Sequence, residues 1–372
     1  MTESDLETVL ERLRRYVEHE SPSGDAAANR ALAALIAGDL ERTGAAVQRI
    51  DAPSRGAHLL ATLPGREAGL PHLLVLGHFD TVHPLGSLAR MPFAIRDGRI
   101  EGPGAFDMKA GIAVLLEALL RMAAAGRRPR RLLTLLLSCD EEIGSATSRN
   151  IIESAARGAA AALVLEPSLP GGAAKTARKG VAIYTIRARG RAAHAGLDPQ
   201  HGVSAIVELA HQTLRIAALA APELGTTINV GLVRGGTVSN VVAAEAELEL
   251  DVRYATSREG VRVDAALRAL EATIPGAAIE VQGSESRPPL ERTAPVIALY
   301  EAARRQAARQ GWELGEGSAG GASDGSLVAA LGVPTLDGLG PDGGGAHALD
   351  EHVRLDDLPR RIALLEDLLD TL

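Results

Sequence analysis

Short apolar runs alternate with amphipathic stretches in the first half of the chain and again near its end. Four of these runs, at 72–76, 132–138, 161–165 and 332–336, contain few polar residues, which is typical of strands buried on both faces of a parallel sheet. The segment 107–126 has apolar residues at helical spacing and ends at a glycine, a residue type that commonly follows the last turn of a helix. Strands alternating with helices predict an α/β domain with a mostly parallel sheet.

The middle of the chain has a different pattern. It predicts strand, helix, strand, strand, helix and strand in that order, at 181–188, 203–218, 226–233, 245–253, 259–273 and 278–282. This order is that of the split βαβ unit of a ferredoxin-like sandwich. A helical pattern resumes at 294–311. We therefore expect a small α+β domain at 180–287, inserted into an α/β domain formed by 1–179 and 288–372.

Composition and charge exclude several classes of protein. Hydrophobic residues make up 46% and charged residues 23% of the chain, the balance of an ordinary globular protein, and the net charge of −8 argues against a nucleic-acid partner. No window approaches the roughly 18 consecutive apolar residues of a membrane span, and the acidic start of the chain does not resemble a signal peptide. We therefore expect a cytoplasmic protein. The single cysteine, Cys139, excludes an internal disulfide and a zinc site built from thiolates.

Three adjacent carboxylates follow the apolar run 132–138, and they suggest a metal site. Asp140, Glu141 and Glu142 would repel one another and resist burial at the end of a strand. In parallel α/β sheets, ligands bind beyond the carboxyl ends of the strands. His78, Asp80 and Glu166 follow other apolar runs, and they can converge there with Asp107, at the start of a predicted helix, and His347, in a glycine-rich loop. A pair of divalent cations would neutralise this concentration of carboxylates.

The types of the candidate ligands restrict the metal. Nitrogen and oxygen donors without thiolate suit Zn²⁺, and also Mn²⁺ or Co²⁺. Because Glu141 and Glu142 are neighbours, their side chains point in different directions, so that one can bind a metal while the other acts as a general base. Asp80 lies two residues after His78, on the same face of an extended chain, where it can orient the imidazole. Asp140 is more simply interpreted as a structural residue.

Eight motifs in this order resemble the M20 family of metallopeptidases and amidohydrolases. They are GHFDTV (77–82), GPGAFDMKAG (102–111), DEEIGS (140–145), EPS (166–168), GRAAHAG (190–196), GGTVSNVV (235–242), GGASDG (320–325) and GGGAHALDE (343–351). Within the family, the chain most resembles the bacterial glutamate carboxypeptidases of the carboxypeptidase G2 type. The motifs span nearly the whole chain, and the inserted domain stands where the family carries a lid that commonly forms a dimer.

The resemblance implies a ligand set for two divalent ions per subunit, most simply zinc. One ion would be bound by His78 and Glu166, and the other by Glu142 and His347. Asp107 would bridge the two ions. The fold implied is a dinuclear-metal catalytic domain with a ferredoxin-like lid and dimerisation domain.

The resemblance also implies roles for residues around the metals. Glu141 would be the general base, Asp80 would orient His78, and the peptide bond between Asp107 and Met108 would be cis. On the lid, His194 would reach a neighbouring subunit's site and stabilise the oxyanion. Asn240 and Arg253 would bind the terminal carboxylate of the substrate. Arg287 would bind the carboxylate of an acidic side chain.

The function predicted from these features is metal-dependent hydrolysis of an amide or peptide bond in an N-acyl amino acid or short peptide. The reaction would release a C-terminal amino acid, with glutamate or aspartate favoured by Arg287. N-acyl amino acid deacetylases, desuccinylases and dipeptidases of the same family are alternatives with the same metal ligands. A non-catalytic, metal-free binding protein of this fold is a more remote alternative.

Two short motifs suggest other classes of enzyme. GASDG (321–325) fits the nucleophile motif of serine hydrolases, and Asp337 and His347 follow Ser323 in the required order. That motif needs a buried strand directly before it, whereas the polar segment GWELGEGSAG precedes Ser323. GLGPDG (338–343) fits a dinucleotide-binding pattern, but no helix follows directly and too little chain remains for a βαβ unit.

Overall fold

The structure is a computed structural model that describes the backbone of residues 3–372 and the side chains of residues 5–372. The α-helices of these residues are α1 (Glu3–Glu18), α2 (Ala26–Glu41), α3 (Ala110–Ala124), α4 (Arg149–Ala156), α5 (Ala205–Ala217), α6 (Ser257–Arg268), α7 (Ala294–Arg309), α8 (Asp324–Ala330) and α9 (Leu358–Thr371). The strands are β1 (Ala46–Ala52), β2 (Gly56–Leu63), β3 (Leu73–His78), β4 (Ala94–Arg96), β5 (Arg99–Glu101), β6 (Leu133–Ser138), β7 (Ala161–Val164), β8 (Ala174–Arg178), β9 (Gly180–Arg189), β10 (Thr227–Gly235), β11 (Glu245–Tyr254), β12 (Ala278–Arg287), β13 (Glu316–Ala319), β14 (Thr335–Leu336), β15 (Gly343–Gly344) and β16 (His352–Arg354). Within the described range, no helix combines the length and the apolar character that a membrane crossing requires.

The chain divides into two compact units. The first contains the residues up to Ala177 together with 292–319 and 323–372, and the second contains 178–291 with 320–322. The first unit is thus built from segments on both sides of the second.

The central sheet of the first unit has six strands in the order β1-β2-β6-β3-β7-β14. Strand β3 pairs in parallel with β6 and with β7, and β14 pairs in parallel with β7. Strands β1 and β2 form an antiparallel hairpin that joins the sheet at β6, also antiparallel. The sheet is therefore mostly parallel, as the apolar runs predict, with an antiparallel edge.

Strand β3 shows why these runs lack alternation. All six of its residues are buried. Val75 belongs to the hydrophobic cluster that includes Leu13 of α1 and Leu115 of α3, whereas Leu74 and Leu76 face the opposite cluster with residues of α4 and α8. Because helices cover both faces of the sheet, apolar side chains are favoured at every position of the strand.

The register of the parallel strands brings their carboxyl ends together. His78, the last residue of β3, pairs with Ser138, the last residue of β6, and Leu76 pairs with Val164, the last residue of β7. A single 3₁₀ turn, Glu141–Ile143, follows β6. The polar residues that follow these three strands therefore lie at one edge of the sheet.

The second unit contains a four-stranded antiparallel sheet in the order β10-β11-β9-β12. Helices α5 and α6 contribute to a hydrophobic core with the buried residues of β9 and β11. Burial alternates strictly along β11, with Leu248, Leu250 and Val252 buried and the charged residues between them more accessible. The element order β-α-β-β-α-β and this strand order are those of a ferredoxin-like sandwich.

Helix α6 is shorter than its periodicity predicts, since it ends at Arg268 rather than at Thr273. The carboxylate of buried Glu208, on α5, accepts hydrogen bonds from the backbone N–H groups of Thr273 (3.0 Å) and Ile274 (2.7 Å). These N–H groups therefore bind a side chain from another helix instead of continuing α6, and Pro275 follows directly. A contact made through tertiary structure is not visible in a local pattern.

Two differences in the main sheet have local causes. The strand predicted at 332–336 is reduced to Thr335–Leu336, because Gly332 adopts a φ of 84° and Pro334 lacks an N–H group for pairing. The hairpin of β1 and β2 is not predicted at all. Strand β1 is mostly exposed, and its apolar residues Val47 and Ile50 are only partly buried and three positions apart, so it shows neither a buried run nor the alternation of a strand.

Two glycines, one in the first turn of α3 and one in the last turn of α2, provide a test of the packing around the sheet edge. A Cβ at Gly111, on α3, would lie 2.1 Å from the carbonyl oxygen of Leu165, whereas a Cβ at Gly38, on α2, would meet nothing within 4 Å. We expect Gly111→Ala to lower the free energy of unfolding by about 1–3 kcal/mol through overpacking. Gly38→Ala, the matched control, should raise it by about 0.5–1 kcal/mol through helix propensity. Urea unfolding measures both, and similar changes in the two variants would show that α3 does not pack tightly against this segment.

Candidate metal centre

Two groups of side chains at the sheet edge share one carboxylate. The first group is His78, Asp107 and Glu166, and the second is Asp107, Glu142 and His347; in each group, one ligand atom per residue lies within 4.8 Å of the others. Oδ1 of Asp107 faces the first group and Oδ2 faces the second. The five residues predicted as ligands are thus brought together by the fold.

The distances between these atoms suit metal coordination. Nε2 of His78 lies 3.2 Å from Oδ1 of Asp107 and 3.3 Å from Oε1 of Glu166. Nε2 of His347 lies 3.4 Å from Oδ2 of Asp107 and 3.1 Å from Oε2 of Glu142. Ligands at zinc bond lengths of about 2.0–2.1 Å stand about 3.3 Å apart in a regular tetrahedron. All four separations are close to that value.

Asp107 is positioned by a tight turn ahead of α3. Gly104 has a φ of 69°, and a Cβ there would lie 2.4 Å from Cγ2 of Thr81, so the turn favours glycine. The peptide bond between Asp107 and Met108 is cis, as the resemblance implies. The Met108 sulfur accepts a hydrogen bond from the N–H of His78 at 3.3 Å, which joins the segment carrying the shared ligand to strand β3.

The pKa values of the two histidines and of Asp107 are shifted by the charges around them. Burial alone would lower the pKa of His78, but its contacts with Asp107, Asp80 and Glu166 outweigh burial and raise the pKa well above its usual range. Contacts with Asp107 and Glu142 raise the pKa of His347 to about 10. Against the effect of burial, the two imidazoles hold the pKa of Asp107 below its usual range. The site thus stabilises positive charge at both histidines.

Two buried oxygens of the site complete the fit to cations. Among the described residues, Oδ1 of Asp107 and Oε1 of Glu142 are buried side-chain atoms that have no hydrogen-bond partner. Burial also raises the pKa of Glu142, because removing a carboxylate from water disfavours its charged form. Divalent cations would supply a partner to both oxygens and compensate for their desolvation, so the residues present fit the metals that the sequence predicts.

Asp80 is fully buried and fixes the turn that follows β6. Its carboxylate accepts hydrogen bonds from the Ser23 hydroxyl (2.7 Å) and from the backbone N–H groups of Glu141 (3.2 Å) and Glu142 (3.3 Å). Nδ1 of His78 lies 3.1 Å from the carbonyl oxygen of Asp80 and 3.5 Å from its Oδ1. Asp80 therefore contacts both the imidazole and the turn, whereas the sequence suggested only the imidazole.

Comparison with known sequences decides the family of the chain. The sequence profile of Peptidase family M20/M25/M40 matches residues 74–371. The chain belongs to this family. It is accordingly a metal-dependent hydrolase of peptide or amide bonds, and the resemblance drawn from its motifs is confirmed.

Individual M20 relatives match over most of the chain. Carboxypeptidase G2 of Pseudomonas sp. (strain RS-16) is 32% identical over 364 residues, which cover 95% of this chain and 86% of that protein. Succinyl-diaminopimelate desuccinylase of Verminephrobacter eiseniae is 30% identical and covers 87% of both chains. The crystal structure of aminopeptidase PepT from Bacillus cereus has a TM-score of 0.81, with 23% identity and 98% of both chains covered, and it supports the fold.

Two other carboxylates of the M20 motifs, Asp140 and Asp324, accept hydrogen bonds from hydroxyl and N–H groups of the protein itself. Asp140 is buried and accepts hydrogen bonds from the N–H and hydroxyl of Thr147 (2.7 Å each) and from the Ser148 hydroxyl (2.6 Å). Asp324 accepts hydrogen bonds from the hydroxyls of Ser138 (2.9 Å) and Ser145. Both carboxylates thus brace the 140–145 segment. The sequence analysis did not single out Asp324, although it lies within the motif GGASDG.

Ser323 is a helix cap in this M20 hydrolase and is not placed as a nucleophile. Its hydroxyl donates to Asp337 (2.7 Å) and accepts from the N–H of Gly325 (3.2 Å) at the start of α8. Nε2 of His347, the third member of the supposed triad, faces Asp107 and Glu142 instead. This arrangement agrees with the rejection of a serine hydrolase.

In the second unit, His194 is held in one tautomer. Its Nδ1 accepts hydrogen bonds from the N–H groups of Gly196 and Leu197, both at 3.1 Å, so the ring proton is on Nε2. The N–H of Ala195 donates to the carbonyl of Asn240 at 2.9 Å, which brings the two lid motifs together. His194 and Asn240 are both exposed.

The two predicted substrate arginines differ in environment. Arg253 forms a bidentate pair with Asp251, from Nε to Oδ1 at 2.7 Å and from Nη2 to Oδ2 at 2.8 Å, so a substrate carboxylate would bind Nη1 or displace Asp251. Arg287 is buried at the end of β12 and pairs in register with Val181. A buried guanidinium is unusual and usually has a specific anionic or polar partner.

Proposed function

We propose that this M20 hydrolase is a dinuclear zinc carboxypeptidase that releases a C-terminal amino acid from N-acyl amino acids or short peptides. The observation that carries the proposal is the position of Asp107, whose two oxygens belong to two separate ligand groups. A single ion would require only one of these groups. Zinc suits the nitrogen and oxygen donors and the tetrahedral spacing, although Mn²⁺ and Co²⁺ accept the same donors.

The chain's own residues carry out the proton transfers in this proposal. When bound, the two ions would supply Lewis acidity at the scissile carbonyl and lower the pKa of water. Glu141 is half-buried on the turn that Asp80 fixes. It would take a proton from the attacking water and deliver it to the leaving amine. The Nε2–H of His194 would donate a hydrogen bond to the developing oxyanion.

Substrate selection is proposed to come from the second unit, acting as a lid. Asn240 and Arg253 would bind the C-terminal carboxylate, and Arg287 would bind the side-chain carboxylate of a released glutamate or aspartate. The identity of 32% to carboxypeptidase G2 over most of both chains supports the carboxypeptidase type. The similar identity to a desuccinylase keeps N-acyl amino acid deacetylation, desuccinylation or dipeptide hydrolysis as the second candidate.

We also infer that the second unit forms a homodimer interface. Strand β10 is at the edge of its sheet and so presents backbone groups for further pairing. Apolar side chains beside it are exposed, with Val233 at 62% on β10 and Leu214 at 73% and Ile206 at 46% on α5. An edge strand with an apolar helix beside it suits pairing with a second copy around a two-fold axis.

The metal requirement and the general base are tested together. Metal-stripped protein should not release amino acids from a panel of N-acyl and N-aroyl amino acids, and zinc should restore release with a maximum at two ions per chain. Glu141→Gln should bind the same two ions but lose about 10²–10⁴-fold in kcat, because a general base contributes by that factor. Exposed Glu41→Gln on α2 is the matched control. Full activity of stripped protein, or a maximum at one ion, would contradict the dinuclear proposal.

The role of Arg287 is tested by the charge of the released amino acid. Arg287→Gln should lower kcat/KM for N-acyl glutamate and aspartate by about 10–100-fold, since a hydrogen bond to a charged group contributes about 1.5–3 kcal/mol. Release of neutral amino acids should change little. Exposed Arg189→Gln, on the same sheet, is the control. An equal loss on neutral and acidic substrates would rule out Arg287 as the selector.

Mixing two inactive variants tests whether His194 serves the partner's site. His194→Ala and Glu141→Gln should each be inactive alone. After the dimers are exchanged in a mixture, about a quarter of the wild-type activity should return, because half of the dimers would contain one intact site of two. If the mixture stays inactive while labelled subunits do exchange, His194 acts within its own chain.

A further inference from the structure

Glu351 makes four hydrogen bonds at the base of the proposed metal centre. It directly precedes β16 and is almost fully buried, at 1% exposure. Its Oε1 accepts from the backbone N–H groups of Phe106 (2.9 Å) and Asp107 (3.0 Å), and its Oε2 accepts from the N–H of Gly104 (3.0 Å) and from Nε2 of His83 (2.6 Å). None of these atoms belongs to the two ligand groups.

These four bonds join three separate segments that carry metal-site residues. Gly104, Phe106 and Asp107 form the turn that holds the shared ligand. His83 lies five residues after His78, in the connection that follows β3. Glu351 itself closes the loop between β15 and β16 that contains His347. One side chain thus fixes the relative positions of segments that are more than 200 residues apart in the chain.

The loop around His347 needs such a constraint. His347 has a φ of 64° and Gly345 a φ of 74°, and left-handed backbone at a non-glycine residue costs about 1–2 kcal/mol. The side chain of His347 is 52% exposed, and its Nε2 faces Asp107 and Glu142. Residues 346–350 at the tip are exposed, while the end of the loop is fixed by Glu351 and by the pairing of His352 with Glu101.

A carboxylate suits this position better than its amide analogue. Each carboxylate oxygen of Glu351 accepts two hydrogen bonds, and three of the four donors are backbone N–H groups that cannot reverse their role. The amide of glutamine has one acceptor oxygen, so its NH₂ group would face at least one backbone N–H whichever way it is turned. At least one buried donor would lose its partner.

We infer that Glu351 is a positioning residue that sets Asp107 and the His347 loop at the spacing required for the second ion, the one assigned to Asp107, Glu142 and His347. This inference rests on the proposed dinuclear function. Loss of the Glu351 carboxylate should affect the first ion less, because His78 is the last residue of β3 and Glu166 follows β7 by two residues. The second ion depends on both Asp107 and the His347 loop.

The test compares Glu351→Gln with Asp350→Asn, a neighbouring carboxylate-to-amide change at an exposed position. Stepwise zinc affinities of chelator-stripped, full-length protein are measured by competition with a chromophoric chelator, and folding is checked by circular dichroism. Glu351→Gln should weaken binding of the second ion by about 10–100-fold, the usual effect of removing a group that orients a ligand. Its Co²⁺ form should show an altered visible absorption band for the second ion. Asp350→Asn should match wild type in both measurements.

The outcomes separate this inference from the proposed function. If wild type binds fewer than two ions, the dinuclear proposal fails before any variant is compared. If wild type binds two ions and folded Glu351→Gln binds both as tightly as wild type, only the positioning role is overturned, whatever the change in thermal stability. Should Glu351→Gln not fold, His83→Phe removes one donor and leaves the three backbone bonds. It should weaken the second ion several-fold, and wild-type affinities in it would overturn the role.

Discussion

The burial of many carboxylates at one edge of a parallel sheet is the constraint on which the first unit depends. Each buried carboxylate must be compensated, since a charge without a partner in a protein interior costs several kcal/mol. The chain supplies hydroxyl and backbone N–H donors to one set: Asp80, Asp140, Asp324 and Glu351. Three others, Asp107, Glu142 and Glu166, face the imidazoles of His78 and His347. The carboxylates of the first set hold the frame of the site in place, and those that face His78 and His347 present the atoms available to cations.

The trio Asp140, Glu141 and Glu142 shows how far a sequence can lead. Its position after a buried strand predicts a functional site. The sequence does not show which of the three adjacent carboxylates faces the metal ligands and which faces internal hydrogen-bond donors. In the structure, a 3₁₀ turn directs consecutive side chains about 120° apart. Asp140 meets Thr147, Glu142 meets His347, and Glu141 stays half-buried between them. The family resemblance assigned roles to Glu141 and Glu142 and none to Asp140, whereas spacing alone could only state that the neighbouring side chains point in different directions.

The fold was predictable where local sequence determines it and was missed where distant residues do. Strand β3 is buried on both faces, and its continuous apolar run shows this in the sequence. Strand β11 is buried on one face, and its alternating pattern shows this equally well. The end of α6 depends on Glu208, and the role of Glu351 depends on donors far away in the chain. Even the tautomer of His194 is set by backbone groups whose direction no pattern reveals. Hydrogen bonds between remote segments are the part of the site that a single sequence leaves open.

The division of the first unit into segments on either side of the second has a consequence for biosynthesis. The second unit is one nearly continuous stretch, so it can fold on the ribosome as soon as residues 178–291 have emerged. The first unit has to wait, because α7, α9 and strand β14 complete its core and its sheet. His347 and Glu351 are also synthesised after the second unit. A nascent chain therefore carries most of the acidic site before His347 and Glu351, and the site is complete only after residue 351 has been synthesised.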